Sequence, residues 1–215
     1  PFIDFSRAVI SQNRIDNGRK YSQQYNATFD RIARDYGVSR GVLLAFWALE
    51  TDFGQVQGDF NTLNALMTLG HDCRRPELFQ PQILAALELY KHCDFDPTTT
   101  KGAWAGEIGM VQMLPKDILQ NGVDGDGDGH VRLKTSAPDA LMSGAKMLKH
   151  LGWRANEPWL QEIIVPADLD WSKTGLNHKM TVAQWAKLGV KPRAGSLGPS
   201  SLQASVLLPM GRKGQ

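Results

Sequence analysis

The chain is poor in cysteine, in excess charge and in long apolar runs. Cys73 and Cys93 are the only thiols among 215 residues, which excludes a disulfide framework as the source of stability. The apolar positions between them, Leu78, Ile83, Leu84, Leu87 and Tyr90, read as one helix of about four turns and roughly 20 Å. That rise exceeds the approximately 7 Å a bridge tolerates between Cα atoms, so two free thiols are expected. Lysine and arginine number 24 against 22 acidic residues, a net charge of +2, and bulk electrostatics give no support to a nucleic-acid partner. No apolar run approaches the roughly 18 residues of a membrane span, and no signal-peptide core precedes the start. Because the chain opens at Pro1 rather than Met, it is expected to be a mature or trimmed form whose export signal is lost from view. What is present is 42% hydrophobic and 21% charged, the balance of a globular protein with a buried core.

Apolar spacing along the chain is helical. Phe5, Val9 and Ile15 mark one stretch; Tyr21, Tyr25, Phe29, Ile32 and Ala33, three and four apart, mark the next, closed by Gly37. Ser39 caps a segment whose residues 42–49, VLLAFWAL, are apolar without interruption, and a helix apolar on every side is expected to be buried. Further helices are predicted at about 62–70, 77–92, 115–121 and 137–151. The last has Ser136 three residues before Asp139, with Pro138 between, the pattern of a capping box. Beyond Trp153 the texture changes. Ile163 to Val165 is apolar, Thr181 signals a short helix over 182–188, and residues 189–215 are rich in Gly, Pro and Ser with one apolar run at Val206 to Leu208. The expectation is a mainly α protein: a helical domain over 1–153 and a smaller α+β appendage over 154–215, possessing no internal repeat.

Two stretches could carry chemistry. Glu50 follows the buried segment and precedes TDFG, where the helix must stop. A poorly solvated carboxyl has a raised pKa and can remain a proton donor near neutral pH; the alternative is a solvated glutamate in a last turn, opposed by the helix dipole. The second stretch is GAWAGEIGMVQMLP, residues 102–115. Its glycines let a ligand or another backbone approach closely, Trp104 looks exposed, and Gln112 offers a donor and an acceptor suited to sugar amides and hydroxyls. The competing interpretation is a tight connection with a hydrogen-bonded core glutamine.

With ALETDFG at 48–54, TLNALMTLG and CRRPELF within 62–79, GAWAGEIGMVQMLP, the loop DGDGDGH and LKHLGW at 148–153 in this order, the chain resembles the B-type lytic murein transglycosylases, glycoside hydrolase family 103. The resemblance runs from Phe2 to about Leu208; VPADLDWSKTGL and VAQWAKLGV are similar to the family's small distal domain. It implies a lysozyme-like catalytic domain that cleaves the MurNAc–GlcNAc β-1,4 bond of peptidoglycan without water and leaves a 1,6-anhydro-muramoyl end. Glu50 matches the family's catalytic glutamate, acid on the glycosidic oxygen and then base on the C6 hydroxyl, with no catalytic cofactor. The resemblance further implies substrate contacts at Trp104, Gly109 and Gln112, and at Arg74 and Arg75, whose cations lie at a helix start where the dipole disfavours them and whose guanidinium forks suit a carboxylate. A solvated arginine pair is the alternative. It implies glycan strands as partner, a monomer, and a periplasmic or outer-membrane-associated location. Two departures stand out: Ala103 occupies a position where several members carry a serine that bonds the catalytic glutamate, and the segment with a Tyr-Asn pair that usually follows the LLP element (here Leu207 to Pro209) is not seen.

Glycosidases of the usual kind need a second carboxylate about 5–5.5 or 6.5–9.5 Å from the first. Asp52 should face away from Glu50, Asp59 lies in a Gly-flanked turn, and Glu107 in the glycine loop is expected to form a structural ion pair, though it is the residue that could make the protein a hydrolase. A noncatalytic peptidoglycan-binding protein is the other alternative. The segment from Asp124 to Val131 matches the first eight positions of an EF-hand loop, with Asp124, Asp126 and Asp128 as carboxylates, Gly129 at the turn and the His130 carbonyl at position 7. Thr135 stands where the bidentate glutamate belongs, and the cap already accounts for Asp139. A structural Ca2+ over 124–135 is expected, against the alternative of a plain Asp/Gly turn.

Overall fold

The computed structural model describes residues 2–211 and divides into two compact units, Arg7–Ala155 and the described part of Pro1–Ser6 with Asn156–Gln215. In the larger unit, short polar residues start four of the helices, at Ser11, Ser39, Asn61 and Ser136, and left-handed residues end two, at Gly37 and Asp52. Helix α1 (Phe2–Val9), which the division crosses, is followed by α2 (Gln12–Gln24), whose Ser11 hydroxyl accepts the Arg14 N–H. Tyr25 ends α2 and begins α3 (Asn26–Tyr36). Gly37, at φ 67°, closes α3 with its N–H on the Ala33 carbonyl. Helix α4 (Arg40–Thr51) starts at Ser39, whose side chain accepts the Val42 N–H. A two-residue strand β1 (Phe60–Asn61) leads into α5 (Thr62–His71) and then α6 (Pro76–Lys91); β2 (Lys101–Gly102) returns to pair antiparallel with β1. Helices α7 (Pro115–Asn121) and α8 (Ala137–His150) complete the unit.

Two apolar clusters form its core. Leu66, Phe79, Ala86, Leu89, Ile108, Val111 and Met113 make one, and Phe29, Ile32, Leu43, Trp47, Phe53, Leu141 and Met142 the other. Phe46 and Met110 pack against both, which ties α4 to the glycine loop. One expectation is corrected here: α4 is not buried on all sides. It lies against α2 and α8 and turns Ala45, Leu49 and Glu50 to solvent, with Leu49 57% exposed. Its apolar sequence exceeds what its neighbours cover. The stretch 94–114 between the predicted helices is not helical; β2, an isolated bridge between Ile108 and Met113, and turn bonds such as Thr100 N–H to the Asp96 carbonyl serve its backbone.

The smaller unit is α+β. Strand β3 (Ile163–Ile164) pairs with β5 (Lys191–Pro192), and β4 (Met180–Thr181) with β6 (Gln203–Ala204), all antiparallel. Helix α9 (Val182–Lys187) begins in a capping box between Thr181 and Gln184. Leu169, Trp185, Val190 and Val206 form its core, and the Trp185 indole donates to the Ala204 carbonyl at 2.8 Å.

Candidate active site

Glu50 is held by the way α4 ends. Asp52 and Phe53 are both left-handed, at φ 51° and 59°, which breaks the helix immediately after Thr51. Non-glycine residues there are strained, and the surroundings compensate. Phe53 buries its ring against Trp47 and Tyr21, with centroids 5.3 and 5.0 Å away, and the Asp52 carboxylate accepts the Arg14 Nε–H at 3.0 Å. Asp52 is thereby turned to α2 and occupied, as its spacing from Glu50 suggested. Thr51, 1% exposed, anchors the loop opposite: its hydroxyl donates to the Met110 carbonyl at 2.7 Å and accepts the Gly54 N–H at 2.9 Å. Nothing in the sequence marked Thr51 out, because a threonine in the last turn of a helix is unremarkable until its neighbour across the chain is known.

The loop facing this helix end is built from backbone bonds. Ala103 N–H donates to the Glu107 carbonyl at 2.9 Å, Gly106 N–H to the Ala103 carbonyl at 3.0 Å, and Met110 N–H to the Leu133 carbonyl at 2.9 Å. Its glycines serve that packing. A Cβ on Gly102 would lie 2.0 Å from the Glu107 oxygen, and one on Gly109 would lie 2.6 Å from the Leu133 oxygen. Gly109 is buried, and the space its missing side chain leaves is filled by Leu133. Trp104 stands out at 61% exposure. Gln112 is half-buried at φ 49°, and its amide nitrogen donates to the Gly109 carbonyl at 2.8 Å and the Gln57 carbonyl at 3.4 Å. The donor half of its amide therefore braces the loop, leaving the oxygen for a ligand.

The Glu50 carboxyl is exposed, with no hydrogen-bond partner among the described residues. Even so, desolvation by its surroundings, and then the negative charge of Glu107, push it above the ordinary carboxylate range. Among the described residues Glu107 does not form the ion pair expected of it, and its Oε2 is buried with no hydrogen-bond partner. A carboxyl exposed to a ligand yet biased toward protonation can give a proton to that ligand.

The arginines belong to the α5–α6 turn. Arg74 is paired with Asp72 at 2.6 Å, an interaction that holds the Asp72 carboxyl down at about 2, and Arg75 stacks over the Phe79 ring at 5.6 Å. Arg74 thus has a local partner that accounts for its position. Elsewhere, a cavity of about 540 Å³ is lined by Tyr90, Cys93, Asp94, Arg132 and Lys134 among others, and includes neither Glu50 nor Trp104. Cys73 and Cys93 are free and exposed.

Asp124, Asp126 and Asp128 place oxygens within 4.8 Å of one another, close enough for one cation. The N–H groups of Gly127, Asp128 and Gly129 donate to Asp124, and the Ser136 hydroxyl to Asp126. The His130 ring turns to Asp94 at 3.1 Å, leaving its carbonyl as the group that fits position 7. Asp139 departs from the capping box. Its N–H donates to Ser136 as expected, but its carboxylate, fully buried, accepts the N–H groups of Gly125 at 2.9 Å and Arg132 at 2.7 Å. It clamps the two ends of the acidic loop onto α8, where the helix N-terminus favours its charge.

A carboxyl acid on the open side at the end of a half-buried helix, set against a glycine loop in a helical domain, fits the lysozyme-like class of protein. The comparisons with known proteins agree with it. The whole of residues 1–215 matches the transglycosylase SLT domain, and the chain belongs to that family. It is 34% identical to SltB3 from Pseudomonas aeruginosa, solved in complex with NAG-anhNAM-pentapeptide, with a TM-score of 0.89 over 98% of this chain and 57% of that one. It is 30% identical to the Escherichia coli lytic transglycosylase Slt35, solved in complex with calcium, with a TM-score of 0.86 over 95% of this chain and 64% of that one. A curated relative, the membrane-bound lytic murein transglycosylase B of Escherichia coli, is 28% identical over 193 residues; these are 89% of this chain and 53% of the relative, so the chain spans about half its length.

Proposed function

We propose that this chain cleaves the MurNAc–GlcNAc β-1,4 bond of peptidoglycan as a lytic transglycosylase, with the larger unit as its catalytic domain. The observation that carries the proposal is Glu50: exposed, unpartnered and biased toward its protonated form. Glu50 donates its proton to the glycosidic oxygen as the C1–O bond breaks. Then, as a carboxylate, it takes the C6 hydroxyl proton while O6 closes on C1. Trp104 offers an apolar ring on which the sugar's C–H face can lie, and the free Gln112 oxygen accepts from a hydroxyl or amide of the glycan. Arg74 and Arg75, away from this ring of contacts, would meet a carboxylate of the substrate's peptide. Glycan strands in the periplasm or at the outer membrane are the substrate, and a monomer suffices because one chain supplies these groups; no helix among the described residues is long and apolar enough to cross a membrane.

Asp124, Asp126, Asp128 and the His130 carbonyl are proposed to hold a structural Ca2+, consistent with the calcium-bound relative. That ion supplies charge neutralisation within the loop and no chemistry on the glycan. Glu107 beside Glu50 favours a second reading, hydrolysis with two carboxyls. Product mass decides: a transglycosylase releases anhydro-muropeptides, whereas a hydrolase releases reducing ends one water heavier. Glu50→Gln should abolish either product while leaving the melting curve unchanged, and turnover retained in that variant would refute the assignment.

A further inference from the structure

Gln57 sits where three segments of the larger unit meet, and its side-chain nitrogen is spent on backbone. Its Nε2 donates to the Gly54 carbonyl at 2.9 Å, in the turn that follows α4, and to the Lys134 carbonyl at 3.1 Å, in the segment that leads into α8. Its own backbone carbonyl accepts the Gln112 Nε2–H of the glycine loop at 3.4 Å, a longer bond than the 2.8 Å one from that nitrogen to the Gly109 carbonyl. Both anchors are themselves fixed. The Gly54 N–H donates to the Thr51 hydroxyl at 2.9 Å, and the Leu133 carbonyl, one residue before Lys134, accepts the Met110 N–H at 2.9 Å. This arrangement has a cost: the Gln57 Oε1 is buried with no hydrogen-bond partner. An apolar side chain of the same length would leave no bare oxygen, so what distinguishes glutamine here is its pair of donors.

We propose that Gln57 is a positioning residue for Gln112: its side chain, clamped to the Gly54 and Lys134 carbonyls, holds its backbone carbonyl against the Gln112 nitrogen, so that the Gln112 oxygen faces the glycan. A side-chain amide can sit either way round, and its neighbours decide which. Two carbonyl oxygens, of Gly109 and Gln57, lie against one end of the Gln112 amide. They accept from its nitrogen and would repel its oxygen. Gln112 also stands at φ 49°, a left-handed backbone that the surroundings must hold in place. The inference rests on the transglycosylase reading of this site and adds a selection rule to it. A sugar hydroxyl or an N-acetyl N–H is accepted at the Gln112 oxygen, whereas a group with no proton to give is not. Gln57 acts through Gln112 and contacts no sugar.

The test compares the full chain with Gln57→Met, Gln112→Ala and the two combined. Initial rates on purified glycan strands give kcat and KM separately, and NMR gives the solvent exchange of the Gln112 side-chain amide. In the unaltered chain those amide protons should exchange more slowly than the protons of an exposed glutamine, and in Gln57→Met they should exchange faster. Gln57→Met should raise KM about fivefold, the effect of one ordinary hydrogen bond, with kcat within about twofold. In the Gln112→Ala background the same change should move KM by less than about twofold, because the residue it positions is gone. Equal effects in both backgrounds would overturn the inference, as would an unprotected Gln112 amide in the unaltered chain or a fall in kcat at unmoved KM. Gln57→Asn, which shortens the arm, serves the same cycle if Gln57→Met does not fold; failure of both to fold would make Gln57 a structural support and overturn the inference. Reducing ends from the unaltered chain would instead overturn the transglycosylase reading and leave Gln57 its role, since a hydrolase must bind the same glycan.

Discussion

Replacing Thr51 with valine keeps the shape of the side chain and removes one hydroxyl. That hydroxyl joins the end of α4 to the glycine loop, donating to the Met110 carbonyl and accepting from Gly54 N–H, in a place only 1% exposed. Without it two backbone groups are left bare where water reaches poorly. Each orphaned group is worth about 1–3 kcal/mol; allowing for partial relaxation, Thr51→Val should destabilise the larger unit by about 2–4 kcal/mol. In a domain of this size that lowers the melting temperature by roughly 4–16 °C. The loss of activity should exceed the loss of stability at temperatures well below the melt, since the loop and Glu50 are no longer held together. Thr51→Ser retains the hydroxyl and should recover most of both. Calorimetry and initial rates on the three proteins, measured at one temperature, suffice. A valine variant that melts within a degree of the parent and turns over at the parental rate would refute the account of how the site is held.

Gln112→Ala should weaken substrate handling by about 1–3 kcal/mol, since sugar polar groups lose a partner while the Gly109 carbonyl loses its brace; unaltered kinetics on purified glycan would return Gln112 to a purely structural role. Added calcium should raise the melting temperature and chelator lower it, with stabilisation growing as RT ln(1 + [L]/Kd), about 2.7 kcal/mol at a hundred times Kd. No heat on calorimetric titration at millimolar calcium, with a melt indifferent to chelator, would make the acidic loop a plain turn.

The boundaries that could be read from sequence are those set by local chemistry. Ser39, Ser136, Thr181 and Gly37 act within a few residues of themselves, and each caps or closes its helix as read. What escaped was set by contacts distant in sequence. The two-residue strands β1 and β2 are too short to show an alternating pattern, and they exist because residues 60–61 meet 101–102. Asp139 looked like half of a capping box, but its carboxylate turns to Gly125 and Arg132 instead. Either explanation fits a Ser-x-x-Asp pattern, and only the path of the acidic loop decides between them.

The candidate site divides along the same line. Glu50 was legible because a charged residue ending an apolar run conflicts with its setting, and that conflict needs no knowledge of the fold. Its poor solvation and raised pKa were read correctly, and what the sequence did not show is that the residue still reaches solvent, since the open side of α4 depends on which neighbours cover it. Exposure and a raised pKa coexist at Glu50 because desolvation by its surroundings, and after it the charge of Glu107, acts on a residue that still reaches solvent. For a residue that must touch its substrate this is the more useful arrangement. A deeply buried acid holds its proton but cannot reach a sugar, while a fully solvated one reaches the sugar after losing its proton.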